Sequence, residues 1–256
     1  MADYNNPIAR GAAGTVAAID AGLRAYMLRV YNYMLAGLAI TGATAYGTYL
    51  AAVTDNPAAA AAHLPNGVLL TSFGVALFTG PLMWVLLLGS LGLVLFLSFR
   101  IQKMSVMAAR TSFLVYAALV GATFASLFVV YTQMSIAEVF FITAATFGAM
   151  SLWGYTTRAD LTGFGSFLFM GLIGIVIASI VNIFLNNSMM AFVISVIGVI
   201  VFTGLTAYDT QWIKNNYDVN DDGSVAGRKA IFGALKLYLD FINLFLMILR
   251  LMGNRR

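Results

Sequence analysis

Four long stretches without a charged side chain set the strongest limit on how this chain can fold. They span residues 31–53, 73–99, 111–131 and 164–185. Each one reaches the ~20 residues that a helix needs to cross ~30 Å of hydrocarbon. The core of a soluble domain does not explain four such runs, so we predict an all-α polytopic membrane protein.

Three further apolar segments bring the predicted number of transmembrane helices to seven. They lie at about 137–156, 189–211 and 230–252 and also contain ionisable side chains. The whole composition agrees, because 61% of the residues are hydrophobic and 9% are charged, whereas a soluble domain is about a quarter charged. We therefore predict a seven-helix transmembrane domain over residues 30–253 and a short polar N-terminal tail over residues 1–29.

The positions of the basic residues predict the orientation. Connections on one side carry Arg10, Arg24, Arg29, Arg100, Lys103, Arg110, Arg158, Lys214, Arg228 and Lys229. The opposite connections, near 54–72, 132–136 and 186–188, contain no lysine or arginine. Because positive loops stay inside, we predict a cytoplasmic N-terminus. The basic excess then reports orientation and gives no reason to expect nucleic acid as a partner.

The basic residues at the C-terminus do not fit the charge pattern of the earlier connections. Arg250, Arg255 and Arg256 fall on the side that should be poor in basic residues. Two topologies therefore remain: a last helix that re-enters the membrane, and seven complete spans, which we favour.

The absence of cysteine excludes disulfides, thiolate metal sites and cysteine nucleophiles.

An aspartate in the last apolar segment is the first candidate functional residue. Asp240 lies in LKLYLDFINLF, about ten residues into the predicted helix and so near the bilayer centre. A carboxylate at that depth costs ~2.5–3.5 kcal/mol and is expected to face the bundle interior and to have a partner. Lys236, one turn earlier, is the local partner that would make Asp240 merely structural.

A second aspartate lies near the end of the sixth predicted helix. Asp209, in VFTGLTAYDTQWIK, could simply reach interfacial water. A short loop joins the last two helices, so they are expected to be antiparallel neighbours and the two carboxyl groups can meet. Such a pair shares a proton and titrates as a unit, which makes it a pH sensor. Tyr208, Gln211 and Asn243 are the neutral oxygen neighbours that we expect around it.

Two other acidic motifs have ordinary structural interpretations. Glu138 follows Ser135 by three residues, which is typical of a capping box at a helix start. The stretch DVNDDG at residues 218–223 begins like a calcium-binding EF-hand loop. Position twelve of that loop is Lys229, where a bidentate glutamate is required. We interpret this stretch as a solvated turn.

Three segments of the chain resemble the Bax inhibitor-1 family, also called the transmembrane Bax inhibitor motif family. They are LYLDFINLFLMILRLMG, AYDTQWIK and WGYTTRADLTGFGSFLFMGL, and the resemblance extends over about residues 30–253. It implies a bundle in which six helices surround the last one, and a pH-sensitive calcium leak. The family's pH-sensing pair, which plugs the cytoplasmic side of the pore, is matched by Asp209 and Asp240. Arg100, in FLSFRIQK, is implied as a latch partner of the first aspartate.

These observations favour a pH-regulated calcium leak of a bacterial inner membrane, with no enzymatic activity. Asp209 and Asp240 would be weak, transient calcium ligands, and calcium would be the permeant ion in a protein without a resident cofactor. The partners expected are the lipid bilayer, calcium ions and other membrane proteins. The alternative is a non-conducting regulator that binds another membrane protein, such as a quality-control protease. An intramembrane aspartyl protease is disfavoured because no proline follows Pro81.

Overall fold

A computed structural model describes residues 7–255, with side chains from residue 21 onward. This part of the chain forms eight α-helices: α1 (Pro7–Ala52), α2 (Ser72–Phe78), α3 (Leu82–Arg100), α4 (Val106–Val130), α5 (Gln133–Thr156), α6 (Thr162–Leu185), α7 (Ser188–Asn215) and α8 (Gly223–Met252). Two short antiparallel strands, β1 (Ala62–His63) and β2 (Leu69–Leu70), form a hairpin between α1 and α2. The protein is therefore an all-α polytopic membrane protein, as predicted.

Six helices in the described part of the chain, α3 to α8, are long and apolar enough to cross a membrane. This is one fewer than the seven spans predicted from the sequence. The charge-free run at residues 31–52 does form the second half of α1. It is rich in tyrosine, threonine and glycine, which lowers its hydropathy compared with the other helices.

The second predicted span is not a continuous helix. Residues 73–99 were expected to cross in one piece, but α2 ends at Phe78 and α3 begins at Leu82. Pro81 lies between them, and its ring and missing N–H interrupt the hydrogen-bond ladder of a helix. Only α3 is long enough to cross.

The predicted boundary at residue 29 does not coincide with the start of a helix. Helix α1 is helical from Pro7 and continues past residue 29 without a break. Tyr26 and Met27 are buried, and the Tyr26 ring lies 5.5 Å from the ring of Tyr217, which follows α7. Residues 21–29 are thus packed helix. Asp3 and the side chains of Arg10 and Asp20 lie outside the described part of the structure, and the cytoplasmic location of the segment stays a prediction.

Helix α8 is the most enclosed of the six candidate spans. In its most apolar window 72% of the residues are buried, compared with 6% in α3. It packs against α1, α4, α5 and α7, whereas α3 packs chiefly on α4 and α6 on α7. The last helix is therefore central, with α3 and α6 in an outer layer.

The two ends of α8 lie at opposite ends of the bundle. Its start follows the turn from α7, and the residues after its last turn reach the connection between α4 and α5. There the Thr132 N–H donates to the Asn254 carbonyl at 3.0 Å, and the Asn254 N–H donates to Ser135 Oγ at 2.9 Å. Helix α8 is also 30 residues long, so it crosses the whole bundle and does not turn back.

The caps of two helices test the local interpretation of the acidic motifs. The capping box at Ser135 is wrong, because Thr132 caps α5 by accepting a hydrogen bond from the Ser135 N–H. The turn interpretation of residues 218–223 is confirmed. Asp222 Oδ1 accepts from the N–H groups of Ser224 and Val225 at 2.8 and 2.7 Å and thereby caps α8.

Candidate functional site

The packing of α7 against α8 decides whether the two aspartates can meet. Gly233 on α8 lets Ile213 of α7 approach closely, since a Cβ on this glycine would lie 3.1 Å from the Ile213 side chain. In an antiparallel pair this register puts Asp209 opposite residue 237 of α8. Asp209 therefore lies between Lys236 and Asp240, within one helical turn of both.

The structure brings the two carboxyl groups together and buries them. Asp209 is 6% exposed and Asp240 is 5% exposed, both line the same cleft, and the two side chains lie close enough to interact electrostatically. Ionised carboxylates only accept hydrogen bonds, so the two side chains can hydrogen-bond to each other only when one of them carries a proton. Among the described residues, no donor reaches the buried Oδ2 of Asp240. The structure thus places the two predicted aspartates side by side between α7 and α8.

Lys236 is the counter-ion of this pair, but it takes a different partner from the one predicted. Its Nζ lies 2.5 Å from Asp209 Oδ1 on the neighbouring helix, rather than on Asp240 in its own helix. The same Nζ lies 4.8 Å from the centre of the Trp212 ring and 6.0 Å from that of Tyr208. A cation in contact with aromatic faces is stabilised by their quadrupoles. The ammonium therefore rests between one carboxylate and two aromatic rings.

A cleft of about 570 Å³ gives access to the pair. It is bounded by α3 and α6 on the outside and by α7 and α8 on the inside, and Tyr208, Asp209, Lys236, Asp240 and Asn243 all line it. The predicted neighbours Tyr208 and Asn243 are therefore at the site. Asn243 Nδ2 donates to the backbone oxygen of Leu239 at 2.8 Å.

Gln211, a predicted neighbour of the pair, has a different role. Its Oε1 accepts from the Leu161 N–H at 2.9 Å, and its Nε2 donates to the Ala159 oxygen at 2.8 Å. It therefore fastens α7 to the connection between α5 and α6. Two residues after Asp209 on a helix, it points to another face, and it does not line the cleft.

Arg100, the residue implied as a latch, is exposed at the last turn of α3. Among the described residues it forms no ion pair, and the cation that pairs with Asp209 is Lys236. The residue that α3 contributes to the cleft is Ser98.

The chemistry available at the site is that of two carboxyl groups and one ammonium. Among the described residues, no group of three or more histidine, aspartate or glutamate side chains could hold a metal ion. Two carboxylates supply at most four of the six to eight oxygens that calcium takes. A cation here would need water or neutral oxygens and would bind weakly.

Beyond Asp240, α8 places large apolar side chains in the interior of the bundle. Leu244, Phe245, Ile248 and Leu249 of α8 are all buried, with exposures of 0–6%. Phe245 also faces Phe124 of α4, with 6.5 Å between the ring centres. The cleft therefore ends near the acidic pair in this conformation.

The fold and the site together define a class: an integral, α-helical membrane protein with an acidic pair and its counter-ion buried between its last two helices. The family described as "Inhibitor of apoptosis-promoting Bax1" matches residues 23–256. The chain belongs to this family, the Bax inhibitor-1 family, as the sequence motifs indicated.

Three relatives illustrate how far the similarity extends. The inner membrane protein YbhL of Escherichia coli K12 is 48% identical over 240 residues, covering 92% of this chain and 94% of its own. The protein RP147 of Rickettsia prowazekii is 44% identical over 237 residues, covering 93% and 92%. A protein of Caulobacter vibrioides is 40% identical over 259 residues, covering all of both chains. The similarity therefore includes every element of the fold.

Proposed function

We propose that this protein is a pH-sensitive calcium leak of a bacterial inner membrane, gated by Asp209 and Asp240. The observation that carries the proposal is the burial of both carboxyl groups beside a cleft, with a single ammonium for the two of them. Membership of the Bax inhibitor-1 family supports it. The name of YbhL, an inner membrane protein, supports the membrane assigned.

The proposed topology has seven spans and a cytoplasmic N-terminus. The charge-free half of α1 packs along α4 and α8, so it serves as the seventh span. The connections after α3, α5 and α7 carry or adjoin the lysines and arginines of the central part of the chain. Under the positive-inside rule this basic end faces the cytoplasm, and the cleft beside the acidic pair opens in that half of the bundle.

The proposed gate works through the charge of three groups. With one proton on the pair, the remaining carboxylate balances Lys236 and the cluster is neutral. Loss of that proton makes the cluster negative, and gain of a second makes it positive. In a poorly hydrated site such changes are much larger in energy than in water. Lys236 can leave Asp209 without losing all its contacts, because Trp212 and Tyr208 lie beside it.

Weak binding suits a leak. A permeant ion must enter a site and leave it again, and two carboxylates with a resident ammonium do not make a tight calcium site. Calcium is the proposed permeant ion in a protein without enzymatic activity.

The test is calcium flux into liposomes that contain the purified protein, measured over a series of pH values. We expect the wild type to pass calcium in a pH-dependent way. Asp240→Asn should abolish the pH response, because its side chain has no proton to lose. Glu138→Gln is the matched control, since it removes an exposed carboxylate of α5 and should leave the response unchanged. A pH profile that is the same in Asp240→Asn and in the wild type would contradict the proposal.

One observation favours the alternative, a non-conducting regulator that binds another membrane protein. In this conformation the lining of the cleft extends along α8 no further than Asn243. The next turns of α8 place buried apolar side chains in the bundle interior: Leu244, Phe245, Ile248 and Leu249. The same liposomes decide between the two functions. Wild-type protein that is folded yet passes no calcium at any pH would favour the regulator.

A further inference from the structure

A second cavity lies between α1 and α5, and its lining residues differ from those of the cleft beside the acidic pair. It has a volume of about 640 Å³, within the usual size of a small-molecule site. Helix α1 packs chiefly on α4 and α8, and α5 packs on α7 and α8, so a groove remains between them. Phe241 of α8 forms its floor.

The walls of this groove are mostly apolar. Leu28, Leu35 and Leu38 of α1 face Phe147 and Leu152 of α5 across it. Exposed leucines alone say little in a membrane protein, because lipid covers every outer face. The concave shape is the informative feature, because a groove can hold a single acyl chain, whereas a convex surface contacts many lipid molecules in turn.

The length of the groove matches one leaflet. From Arg24 to Leu38, fourteen residues of α1 extend about 21 Å along the helix axis at ~1.5 Å per residue. One leaflet contributes ~15 Å of hydrocarbon, half of the ~30 Å core. The groove therefore reaches from the headgroup region to near the bilayer centre.

Positive charge is concentrated at one end of the groove. Arg24 lines that end and is exposed, and among side chains from residue 21 onward no carboxylate pairs with it. Lys214 adds a second cation beside Tyr155, another lining residue. Its Nζ donates to the backbone oxygen of Tyr155 at 2.8 Å and lies 5.3 Å from the centre of the Tyr155 ring. No described lining residue is acidic.

We propose that this groove binds an anionic phospholipid, with an acyl chain between α1 and α5 and the phosphate headgroup at Arg24. Basic pockets between transmembrane helices bind anionic headgroups in this way. A zwitterionic lipid would fill the groove with its chain but would gain less from the two cations. The proposed lipid site does not rest on the proposed calcium leak.

Two substitutions test the two ends of the site separately. Arg24→Gln removes the headgroup cation, and Arg29→Gln is its control, an exposed arginine of α1 outside the groove. Gly148→Leu fills the groove, because a Cβ on Gly148 meets nothing within 4 Å. Gly174→Leu is the control, since Gly174 of α6 is equally open and lies elsewhere.

The experiment is native mass spectrometry of the full chain in detergent, titrated with dioleoyl phosphatidylglycerol or dioleoyl phosphatidylcholine. The wild type should retain phosphatidylglycerol in preference, and Arg24→Gln should bind it about fivefold more weakly, as expected for one basic residue at the headgroup. Gly148→Leu should lose the retained lipid of both kinds. Thermal unfolding curves close to that of the wild type will show that each variant is folded.

Three results would each overturn the proposal. The first is equal retention of the two lipids by the wild type. The second is a loss in Arg24→Gln no larger than in Arg29→Gln. The third is full retention by folded Gly148→Leu.

Discussion

At the scale of single residues, the charged groups between α7 and α8 could be chosen from the sequence, but their pairing could not. Asp209, Asp240 and Lys236 stood out because ionisable side chains are costly in apolar helices. The sequence places Lys236 one turn from Asp240, which suggests a pair within α8. The structure pairs it with Asp209 at 2.5 Å, because the register of the two helices puts Asp209 beside it.

Trp212 shows a second limit at this scale. Its ring lies 4.8 Å from the Lys236 ammonium and packs on Phe232, with 5.9 Å between the ring centres. Trp212 is one turn after Asp209, so both face α8. Recognising it as a contact of the ammonium required knowing where Lys236 points, which depends on the packing of two helices.

Replacing Lys236 should change calcium entry more than any other lysine substitution. Lys236→Met leaves the acidic pair without its counter-ion, so the site becomes more attractive to a cation. We expect several-fold faster calcium entry into liposomes at neutral pH. Lys103→Met, which removes an exposed lysine after α3, is the control and should behave as the wild type. An unchanged rate of calcium entry in Lys236→Met would mean that this ammonium does not oppose cation binding at the acidic pair.

At the scale of elements, apolar length predicted where helices occur better than where they end. The charge-free run at residues 73–99 became α2 and α3, since one proline outweighs the hydropathy of its neighbours. Helix α8 begins at Gly223, seven residues before the predicted start. Its first two turns contain Arg228 and Lys229. An apolar segment chosen by hydropathy leaves out such charged turns, although the helix itself begins earlier, at its N-cap.

The start of α8 should respond to pH through Asp222. Hydrogen bonds from the backbone of Val225 and then from Ser224 hold the pKa of this carboxyl below its usual value. A lowered pKa in the folded state means that the stabilisation is present above the ordinary pKa and is lost as pH falls through the lowered one. Amide hydrogen exchange at Ser224 and Val225 should therefore accelerate, relative to neighbouring turns, on strong acidification.

Two substitutions of Asp222 separate its charge from its capping. Asp222→Asn keeps an oxygen acceptor and should protect the same amides without the acid-induced loss. Asp222→Ala should leave them unprotected at every pH. Equal protection in Asp222→Ala and the wild type would show that the cap does not hold this turn.

At the scale of the whole molecule, the class was predictable and the arrangement of layers only in part. Apolar runs of this length leave a helical membrane protein as the consistent fold. The central position of α8 came from the family resemblance and not from its hydropathy, since α6 is more apolar than α8 yet far less buried. An apolar side chain is stable both against lipid and in the protein interior. Hydropathy therefore does not predict which helix is buried at the centre of the bundle.

Stability should follow this layering. Leu244 of α8 is fully buried, and Leu244→Ala should cost about 3 kcal/mol because it opens a cavity in packed surroundings. Leu91 of α3 is 53% exposed, and Leu91→Ala should cost close to nothing, as lipid replaces the lost atoms. Unfolding of both variants in the same detergent gives the comparison. Equal costs would contradict the central placement of α8.

The hydrogen bonds between Asn254 and the α4–α5 connection affect how this protein should be handled. A purification tag fused after Arg256 begins only two residues beyond these bonds, and a folded partner there would crowd the α4–α5 connection and compete with them. A tag before the first residue avoids this crowding, so preparations meant to keep the end of α8 attached to the α4–α5 connection are better labelled at the amino end.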